Sequence, residues 1–417
     1  MSARVVAGTW LLTGRADATA SAASLPAAIR EGAVALDGDT VLAVGPRAAV
    51  EARFGEAERL DAVILPALVN AHLHLELSHL HGRIVGGEGL PAWIQLLVSV
   101  RATDREVEQK LGMQMATEDL VAFGVAAVGD VSNTLASLAP LAAAGLLGTV
   151  HHEVFGFTPA RIEAALAAAR ATREAAGPPP AGLRIVLSPH AVYSTPLSTI
   201  SALLRAGPAA IHLAEDPAER ELCASGAGPF ARMLASFGAP VEELRPRARS
   251  AVAAVAPDLA PGNLAVHCVD VDAEDVALLA RSGATAVLCP RSNRHIGGKL
   301  PPLEALLAAG VPLAIGTDSL ASAPSLSPLA ELAALAAAFP EVPAARLLPL
   351  AWNGPAVGAP QVGALRAGTA PGVIAAPLGG ARAGDPFDFM VSTFAAQEAR
   401  VTWLARPRPA EAQEPRT

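Results

Sequence analysis

The sequence predicts a TIM-like (β/α)8 barrel together with a small β domain that both ends of the chain form. The middle of the 417-residue chain alternates eight short apolar stretches with Ala- and Leu-rich helical stretches, which is typical of repeated βα units. Polar residues follow the apolar stretches at their C-terminal ends, where barrel enzymes carry their chemistry. Both ends of the chain instead contain short β-like stretches separated by turns.

The two β-rich ends are predicted to share one domain. Near the N-terminus, the apolar stretches 33–36 and 41–44 flank the turn Asp37-Gly-Asp39, and this pattern indicates a hairpin. Similar stretches occur at 372–376, 387–391 and 400–404. We therefore assign residues 1–60 plus 358–405 to a small β domain and residues 61–357 to the barrel. Residues 406–417 are rich in Pro and charge, so we expect a disordered tail there.

The barrel strands follow one another along the middle of the chain. We predict them at 63–70, 126–131, 149–155, 183–188, 210–213, 264–269, 285–289 and 313–317, with helices between them, for example at 162–176 and 302–309. A doubly wound sheet is the alternative fold for such an alternation. It is disfavoured because no Gly-rich phosphate-binding turn follows the early strands.

Composition limits the classes of partner and compartment. The longest apolar stretch, 135–150, contains Pro140 and two glycines, so it indicates a buried helix and strand rather than a membrane span. The first 14 residues lack the layout of a signal peptide. A net charge of −8, aromatic residues at 4% and the lack of a basic stripe argue against nucleic-acid binding. Three scattered cysteines without CxxC spacing fit a reducing cytoplasm.

The strongest candidates for chemistry are His72 and His74, at the end of the apolar stretch 64–71. Alternate residues of a strand face the same side, so both imidazoles project together. That geometry suits a divalent metal. The alternative is a pair of histidines that only serve the core, and the polar residues at the other strand ends disfavour it.

Three further strand ends carry residues of the same chemistry. His212 is followed three residues later by Glu215. From that position a carboxylate could move protons without binding metal. The alternative role of Glu215 is to complement the dipole of a helix N-terminus. His267 could be a metal ligand or a hydrogen-bond partner of bound water. Asp318 ends the last strand, where a buried carboxylate is costly unless it is paired or bound to metal. Three histidines and one aspartate would leave a coordination position open for water.

The chain has only two lysines, Lys110 and Lys299, and neither lies at a predicted strand end. A lysine that bridges two metals would need to lie at the end of an inner strand. The sequence therefore predicts one divalent metal per chain, with zinc as the first choice and iron or manganese as alternatives.

The order of these residues resembles the amidohydrolase superfamily, in its subgroup of aromatic-base deaminases and triazine hydrolases. The resemblance covers almost the whole chain, including the β domain made from both ends. Several stretches are most similar to the aminodeoxyfutalosine deaminases of the alternative menaquinone route. They are NAHLHLELS at 70–78, EVFG at 153–156, SPHA at 188–191, HLAEDP at 212–217, VHCV at 266–269, CPRSN at 289–293 and GTDS at 316–319.

The resemblance implies a role for each residue of the metal centre. The metal would be bound by three histidines and one aspartate, His72, His74, His212 and Asp318. Glu215 would shuttle protons. His267, together with Asp318, would orient the attacking hydroxide.

The resemblance also implies contacts with the substrate. His190 would contact the ribose or the base. Arg291 would pair with a substrate carboxylate, and its alternative role is an ion pair within the protein. Glu76 would touch the substrate or brace the metal ligands, and we favour bracing. The segment 77–93 is long enough to fold over the barrel mouth and would contain His79 and His81 as part of a polar lid; His151 and His152 have no assigned role.

We therefore predict a cytoplasmic, metal-dependent aminohydrolase that acts on a small molecule, with 6-amino-6-deoxyfutalosine as the preferred substrate and a homodimer as the assembly that the family implies. Alternatives with the same chemistry are an adenosine, S-adenosylhomocysteine, guanine or pterin deaminase, or a triazine chlorohydrolase. A catalytically inactive structural homologue is the alternative from another class. The intact ligand set and Glu215 argue against it.

Overall fold

The computed structural model describes residues 3–15, 26–240, 244–381 and 384–409. Its strands, in chain order, are β1 (Arg4–Leu12), β2 (Ala28–Arg30), β3 (Gly32–Asp37), β4 (Thr40–Pro46), β5 (Glu58–Pro66), β6 (Leu68–Leu73), β7 (Val125–Ser132), β8 (Leu147–Val154), β9 (Leu183–Pro189), β10 (Ala210–Leu213), β11 (Leu264–His267), β12 (Thr285–Leu288), β13 (Leu313–Ile315), β14 (Pro371–Pro377) and β15 (Thr402–Pro407).

The helices lie mainly between the central strands. They are α1 (Arg47–Phe54), α2 (Leu90–Arg101), α3 (Glu106–Ala122), α4 (Leu138–Ala143), α5 (Pro159–Ala176), α6 (Leu197–Ala206), α7 (Pro217–Ser225), α8 (Pro229–Ser236), α9 (Ala251–Val255), α10 (Ala273–Ser282), α11 (Pro290–Gly297), α12 (Leu303–Ala308), α13 (Pro328–Ala338), α14 (Ala344–Leu347) and α15 (Pro386–Asp388). Short 3₁₀ segments cover Leu75–Leu80, Leu348–Trp352 and Gly354–Val357, and a π-helical turn covers Phe389–Phe394. Among the residues described, no helix is long and apolar enough to cross a membrane.

Eight parallel strands form the central barrel, as predicted. They are arranged as two four-stranded sheets, β6-β7-β8-β9 and β10-β11-β12-β13. Single parallel bridges join the sheets, from Ala191 to His212 at one junction and from Leu73 to Asp318 at the other. At the second junction the backbone N–H groups of Thr317 and Asp318 donate to the carbonyl of His72 at 2.9 and 3.0 Å. Each junction therefore fixes the backbone of a candidate metal ligand.

The small β domain contains strands from both ends of the chain. Its seven strands follow the order β15-β14-β5-β1-β3-β4, with β2 paired to β1. β5 lies in the middle, parallel to β1 and antiparallel to β14. The buried residues of β1, β3, β5 and β14 close a core of their own that includes Val6, Leu11, Val34, Ile64 and Val373. The hairpin predicted around Asp37 and Asp39 is formed by β3 and β4.

One predicted strand, 63–70, spans two strands of different sheets. β5 ends at Pro66, and the first barrel strand, β6, begins at Leu68. Trp352 donates from its indole nitrogen to the carbonyl of Pro66 at 3.3 Å, so the junction is buried. Hydropathy does not mark this change of sheet, because Val63 to Val69 are fully buried on both sides of it.

The strand predicted at 387–391 is wrong. Asp385 accepts hydrogen bonds from the backbone N–H groups of Phe387 and Asp388, and α15 starts at Pro386, so the local signal is that of a helix start. Phe389, Met390, Val391 and Phe394 are all buried in the largest core cluster.

The predicted tail also begins too early, since β15 extends to Pro407 and Arg408 donates to Asp39 at 2.8 Å. Residues 410–417 of that tail lie outside the described residues.

Candidate metal centre and active-site cavity

His72 and His74 extend from the C-terminal end of β6. His72 is buried inside the barrel with 1% of its surface exposed. Its neighbour across the junction is Gly316, where a Cβ atom would lie only 2.7 Å from the Cβ of His72. A glycine is therefore required at 316 for this close approach. The ring centroids of His72 and His74 are 4.9 Å apart, so the HxH motif places two imidazoles together, as the strand geometry predicts.

His212 and Asp318 complete a cluster of four with this pair. The Nε2 atoms of His74 and His212 are 3.2 Å apart. Asp318 Oδ1 lies 3.4 Å from His74 Nε2 and 3.8 Å from His72 Nε2. The other oxygen of Asp318, Oδ2, accepts hydrogen bonds from Ser292 at 2.6 Å and from Ser322 at 3.0 Å. The two serines therefore direct Oδ1 towards the histidines.

The cluster fits a divalent metal. Ligands at about 2.0–2.1 Å from a tetrahedral zinc ion lie about 3.3 Å from one another, close to the separations of His74 Nε2 from His212 and Asp318. His72 Nε2 is buried and has no hydrogen-bond partner among the described residues, which is costly unless another group is bound there. His212 Nδ1 lies 3.1 Å from the carbonyl of His190. Because a carbonyl only accepts, that nitrogen carries the hydrogen and Nε2 is free to bind metal.

Burial favours the neutral form of two of these histidines, His74 and His212. Burial, reinforced by the rings of His72 and His190, lowers the pKa of His212 to about 4. Burial also holds the pKa of His74 well below its ordinary value. Although burial opposes ionisation of Asp318, the neighbouring imidazoles hold the pKa of its carboxyl well below the usual range. Neutral imidazoles beside a carboxylate are the protonation states that metal binding requires.

His267 differs from the other histidines in its hydrogen bonding. The amide nitrogen of Asn293 lies 3.0 Å from its Nδ1. An amide N–H can only donate, so Nδ1 accepts and Nε2 carries the hydrogen. Nε2 lies 3.3 Å from Glu215 Oε2 and has no hydrogen-bond partner within the described ranges. With this tautomer, Nε2–H of His267 is a hydrogen-bond donor towards the centre of the site, where one ring nitrogen of His267 also lies within 4.8 Å of the ligand atoms of His72 and His212.

Glu215 reaches the same point from the turn after β10. Its backbone N–H donates to Glu219 Oε1 at 2.7 Å, and the N–H of Ala214 donates to Glu219 Oε2 at 3.1 Å. Glu219 is fully buried, so it fixes this turn. Burial, followed by the charges of Asp318, Glu219 and Asp216, raises the pKa of Glu215 well above its ordinary value.

Backbone strain occurs at the strand ends that carry the site. The φ angle is 52° at Ala214, 77° at His267, 49° at Cys268 and 58° at Asp318. Non-glycine residues seldom adopt this left-handed region, which costs on the order of 1–3 kcal/mol per residue. The strained turns are held by backbone hydrogen bonds, including Cys268 N–H to the carbonyl of Leu213 at 3.0 Å.

A cavity of about 360 Å³ opens next to this cluster. Its polar lining includes three residues of the cluster, His74, His212 and Asp318, together with Glu153 and His190. Its apolar lining comes from helix α2, from the loop after β8 and from α8, and includes Leu90, Trp93, Ile94, Leu97, Phe155, Phe157, Met233 and Phe237. Leu77, Leu90 and Trp93 belong to the predicted lid segment 77–93, which does line the barrel mouth.

The structure places the three predicted substrate contacts differently from one another. His190 lines the cavity, 5.0 Å from the ring of His212, and its Nδ1 lies 2.5 Å from Ser194 Oγ. Glu76 is not among the described lining residues. Its carboxylate accepts hydrogen bonds from Ser132, from the backbone N–H of Asn133 at 3.0 Å and from Thr134 Oγ1 at 2.7 Å. A substrate contact for Glu76 is therefore unsupported. Its bonds hold the loop after β7, and none of these partners is a candidate metal ligand, so bracing of the ligands stays a prediction.

The substrate contact predicted for Arg291 is wrong. Its Nε donates to Glu331 Oε1 at 2.6 Å, and another guanidinium nitrogen donates to Glu398 at 2.9 Å. The third binds the carbonyl and hydroxyl of Ser325 at 2.7 and 3.0 Å. Arg291 is not among the described residues that line the cavity, so its donors serve the packing of α11 against α13.

Several cavity residues have no role in the sequence-based prediction. Glu153, at the end of β8, lies 3.5 Å from His212 Nδ1 and accepts a hydrogen bond from Asn133 at 3.2 Å. Its position at the C-terminal end of a strand was the available signal that Glu153 belongs to the site. Two cations also line the cavity, Arg101 and Arg161, and nothing in their local sequence marks them.

The two histidines without an assigned role, His151 and His152, and the two of the predicted lid, His79 and His81, lie outside the metal cluster. His151 Nδ1 lies 3.0 Å from Ser188 Oγ, and His152 Nε2 lies 3.2 Å from the carbonyl of Asn133. His79 Nε2 is 2.9 Å from Asp104 Oδ1. His81 is exposed.

Comparisons with known proteins agree with this geometry. Residues 63–376 match the amidohydrolase family. The chain is 34% identical over 326 residues to an aminodeoxyfutalosine deaminase of Deinococcus radiodurans, covering 71% of this chain and 73% of that protein. It is 30% identical over 323 residues to a 5-methylthioadenosine/S-adenosylhomocysteine deaminase of Nitratidesulfovibrio vulgaris, covering 74% and 68%. In fold it is similar to the crystal structure of Helicobacter pylori aminofutalosine deaminase in complex with methylthio-coformycin, with a TM-score of 0.82, 20% identity and coverage of 95% and 97%.

Proposed function

The chain belongs to the amidohydrolase family, and from that premise we propose that it is a metal-dependent hydrolytic deaminase of an aminopurine nucleoside, with 6-amino-6-deoxyfutalosine as the preferred substrate. The observation that carries this proposal is the convergence of the histidine and aspartate cluster with Glu215 beside an apolar cavity.

His72, His74, His212 and Asp318 are proposed to hold one divalent metal, zinc first and iron or manganese as alternatives. When bound there, the metal lowers the pKa of a water molecule so that it attacks near neutral pH. Asp318 Oδ1 and the Nε2–H of His267 converge on the cluster from two sides. Their roles are to accept from and donate to the attacking water, which fixes its direction towards C6 of the purine.

Glu215 is proposed to carry the protons. Deamination adds the oxygen of water to C6 and breaks the bond from C6 to the amino nitrogen, which leaves as ammonia. One proton must reach the purine ring for attack, and one must reach the amino group for departure. A buried carboxyl with a raised pKa, 3.3 Å from His267 and outside the ligand set, suits both transfers.

The preference for 6-amino-6-deoxyfutalosine is supported by the Deinococcus radiodurans relative and by the apolar lining of the cavity. That substrate carries a benzoate at its 5′ end, whereas adenosine ends in a hydroxyl. The Nitratidesulfovibrio vulgaris relative supports a second candidate within the same class, 5-methylthioadenosine or S-adenosylhomocysteine. A homodimer remains a prediction, and light scattering would measure the assembly. A cytoplasmic location also remains a prediction. The three cysteines are free and buried.

An ammonia-release panel tests the proposal. The zinc-loaded full chain is incubated with 6-amino-6-deoxyfutalosine, adenosine, 5-methylthioadenosine, S-adenosylhomocysteine, guanine, a pterin and a chlorotriazine. We expect ammonia and an equal amount of the 6-oxopurine product from the aminopurine nucleosides, and no product when a chelator has removed the metal. Chloride release from the triazine alone would instead identify a chlorohydrolase, and a metal-loaded protein without any product would identify an inactive homologue.

A further inference from the structure

Helix α2 (Leu90–Arg101) presents one continuous stripe to the cavity. Leu90, Trp93, Ile94, Leu97 and Arg101 all line it. Their spacings of three and four residues place them on one face of the helix. The stripe is apolar over its first turns and ends in a guanidinium, so its chemistry changes along its length.

The start of α2 is tied to the catalytic end of the cavity. The backbone N–H of Leu90 donates to Asp216 Oδ2 at 3.0 Å, and Asp216 directly follows Glu215. With a rise of about 1.5 Å per residue, the eleven steps from Leu90 to Arg101 span about 16 Å. Arg101 therefore lies about 16 Å along α2 from the end of the helix that Asp216 holds next to Glu215.

Arg101 lies beside Asp104 and keeps free donors among the described residues. Its Nε lies 3.6 Å from Asp104 Oδ2, and its side chain is 37% exposed. Asp104 accepts a hydrogen bond on Oδ2 from the amide of Gln109 at 3.3 Å, and its Oδ1 lies 2.9 Å from His79 Nε2 without the geometry of a hydrogen bond. Within the described residues, no hydrogen bond is made by the two terminal nitrogens of Arg101. A guanidinium whose terminal nitrogens are open in this way is suited to a carboxylate.

We propose that Arg101 binds a carboxylate at the far end of the substrate, on an apolar group that extends the nucleoside at its 5′ position. This inference rests on the proposed function and assigns the acid-recognising residue that Arg291 does not supply. The apolar residues of the stripe, together with Phe155 and Phe157 of the cavity lining, would enclose the apolar group at the 5′ position of the substrate.

Arg161 is the rival cation. Its guanidinium lies 5.4 Å from the ring centroid of Phe157, and it donates to the carbonyl of Phe237 at 3.4 Å. These contacts occupy its face and one of its nitrogens. Arg101 is therefore the better placed of the two, and both are included in the test.

The experiment compares Arg101→Gln with the wild-type chain on matched substrates. The probes are 6-amino-6-deoxyfutalosine, its carboxamide, 5-methylthioadenosine and S-adenosylhomocysteine. We expect kcat/KM for the acid to fall about tenfold to a hundredfold, mostly through KM because the contact lies away from the reacting carbon. The loss on the carboxamide should be at least tenfold smaller. A comparable loss on S-adenosylhomocysteine would assign Arg101 to aliphatic carboxylates as well.

Arg105→Gln is the matched control, since Arg105 pairs with Glu108 at the surface and does not line the cavity. It should leave all four values within about twofold. Two results would overturn the inference. One is an equal loss of kcat/KM on the acid and the carboxamide in Arg101→Gln. The other is a preference for the acid over the carboxamide that disappears in Arg161→Gln and persists in Arg101→Gln. If the wild-type chain releases no ammonia from any probe, the proposed function itself fails, which is a separate result.

Discussion

At the scale of single residues, hydrogen-bond partners divide the similar side chains of the site into different roles. His212 directs one ring nitrogen to a carbonyl, whereas His267 receives an amide N–H on the equivalent nitrogen. The first arrangement frees Nε2 as a metal ligand, and the second places a hydrogen on it. Glu215 differs from both in role, because it lies outside the proposed ligand set on a turn that Glu219 fixes.

Replacing Glu215 by Gln tests its assignment as a proton carrier. The amide keeps the shape of the side chain but cannot move a proton, so kcat should fall by about 10²–10⁴-fold. Zinc content, measured by elemental analysis of the same preparation, should stay at the wild-type value. A variant that loses its metal would make Glu215 a ligand and would contradict this division of roles.

Sequence reasoning succeeded where the signal is local. The positions of His72, His74, His212, Glu215, His267 and Asp318 follow from strand ends and from alternation along a strand, and the structure brings them together. It failed for Arg291, because its partners Glu331 and Glu398 lie 40 and 107 residues away. Whether a guanidinium faces a substrate or another carboxylate depends on such distant contacts.

At the scale of elements, Arg291 joins three segments through buried charge. It links the start of α11 to Glu331 of α13 and to Glu398, with side-chain exposures of 13% for Arg291 and 0% for Glu331. Burial raises the pKa of Glu331 to about 7 although Arg291 opposes this rise. The interaction therefore stabilises the packing of the helices, and its loss would leave a buried carboxyl without its partner.

Arg291→Ala should lower the free energy of unfolding by about 3–5 kcal/mol, because removing one member of a buried ion pair leaves the other uncompensated. Chemical denaturation measures the loss. Arg400→Ala is the control, since Arg400 pairs with Asp119 at 73% exposure, and such pairs contribute about 0–1 kcal/mol. A drop in kcat/KM that is confined to carboxylate-bearing substrates, without loss of stability, would restore Arg291 as a substrate contact.

The elements themselves were predictable in type and less so in their limits. Eight apolar stretches became eight parallel strands, since buried parallel strands have continuous apolar sequences. The break between β5 and β6 was not visible in the hydropathy, because Ile64, Leu65, Ala67 and Leu68 are fully buried on both sides of it. Pro66, the last residue of β5, was the available signal. The helix start at Asp385 and Pro386 was visible in the sequence, but the apolar residues that follow it resemble a strand.

At the scale of the whole molecule, the candidate metal site belongs to the barrel, and the β domain contributes none of its ligands. The candidate ligands lie at the two junctions where the four-stranded sheets meet. Metal bound there would connect β6, β10 and the turn after β13. Binding should therefore stabilise the folded barrel as well as enable chemistry.

The purified chain should contain about one transition metal, and its removal by a chelator should lower the melting temperature by several degrees. His72→Ala should reduce both the metal content and this difference. His81→Ala, which changes an exposed histidine outside the cluster, should leave both unchanged. Two tightly held metals per chain would contradict the single ligand set.

The most direct test of the account as a whole is the ratio of kcat/KM for 6-amino-6-deoxyfutalosine to that for adenosine, measured as ammonia release by the zinc-loaded chain. Both substrates present the same 6-aminopurine to the metal centre, so the chemical step should be alike. Only the apolar lining of the cavity and the two arginines among its described lining residues, Arg101 and Arg161, can distinguish them. We predict a ratio of at least about tenfold to a hundredfold in favour of 6-amino-6-deoxyfutalosine, the contribution of one charged contact. Equal values, or a preference for adenosine, would contradict the substrate assignment, and no ammonia from either would contradict the deaminase itself.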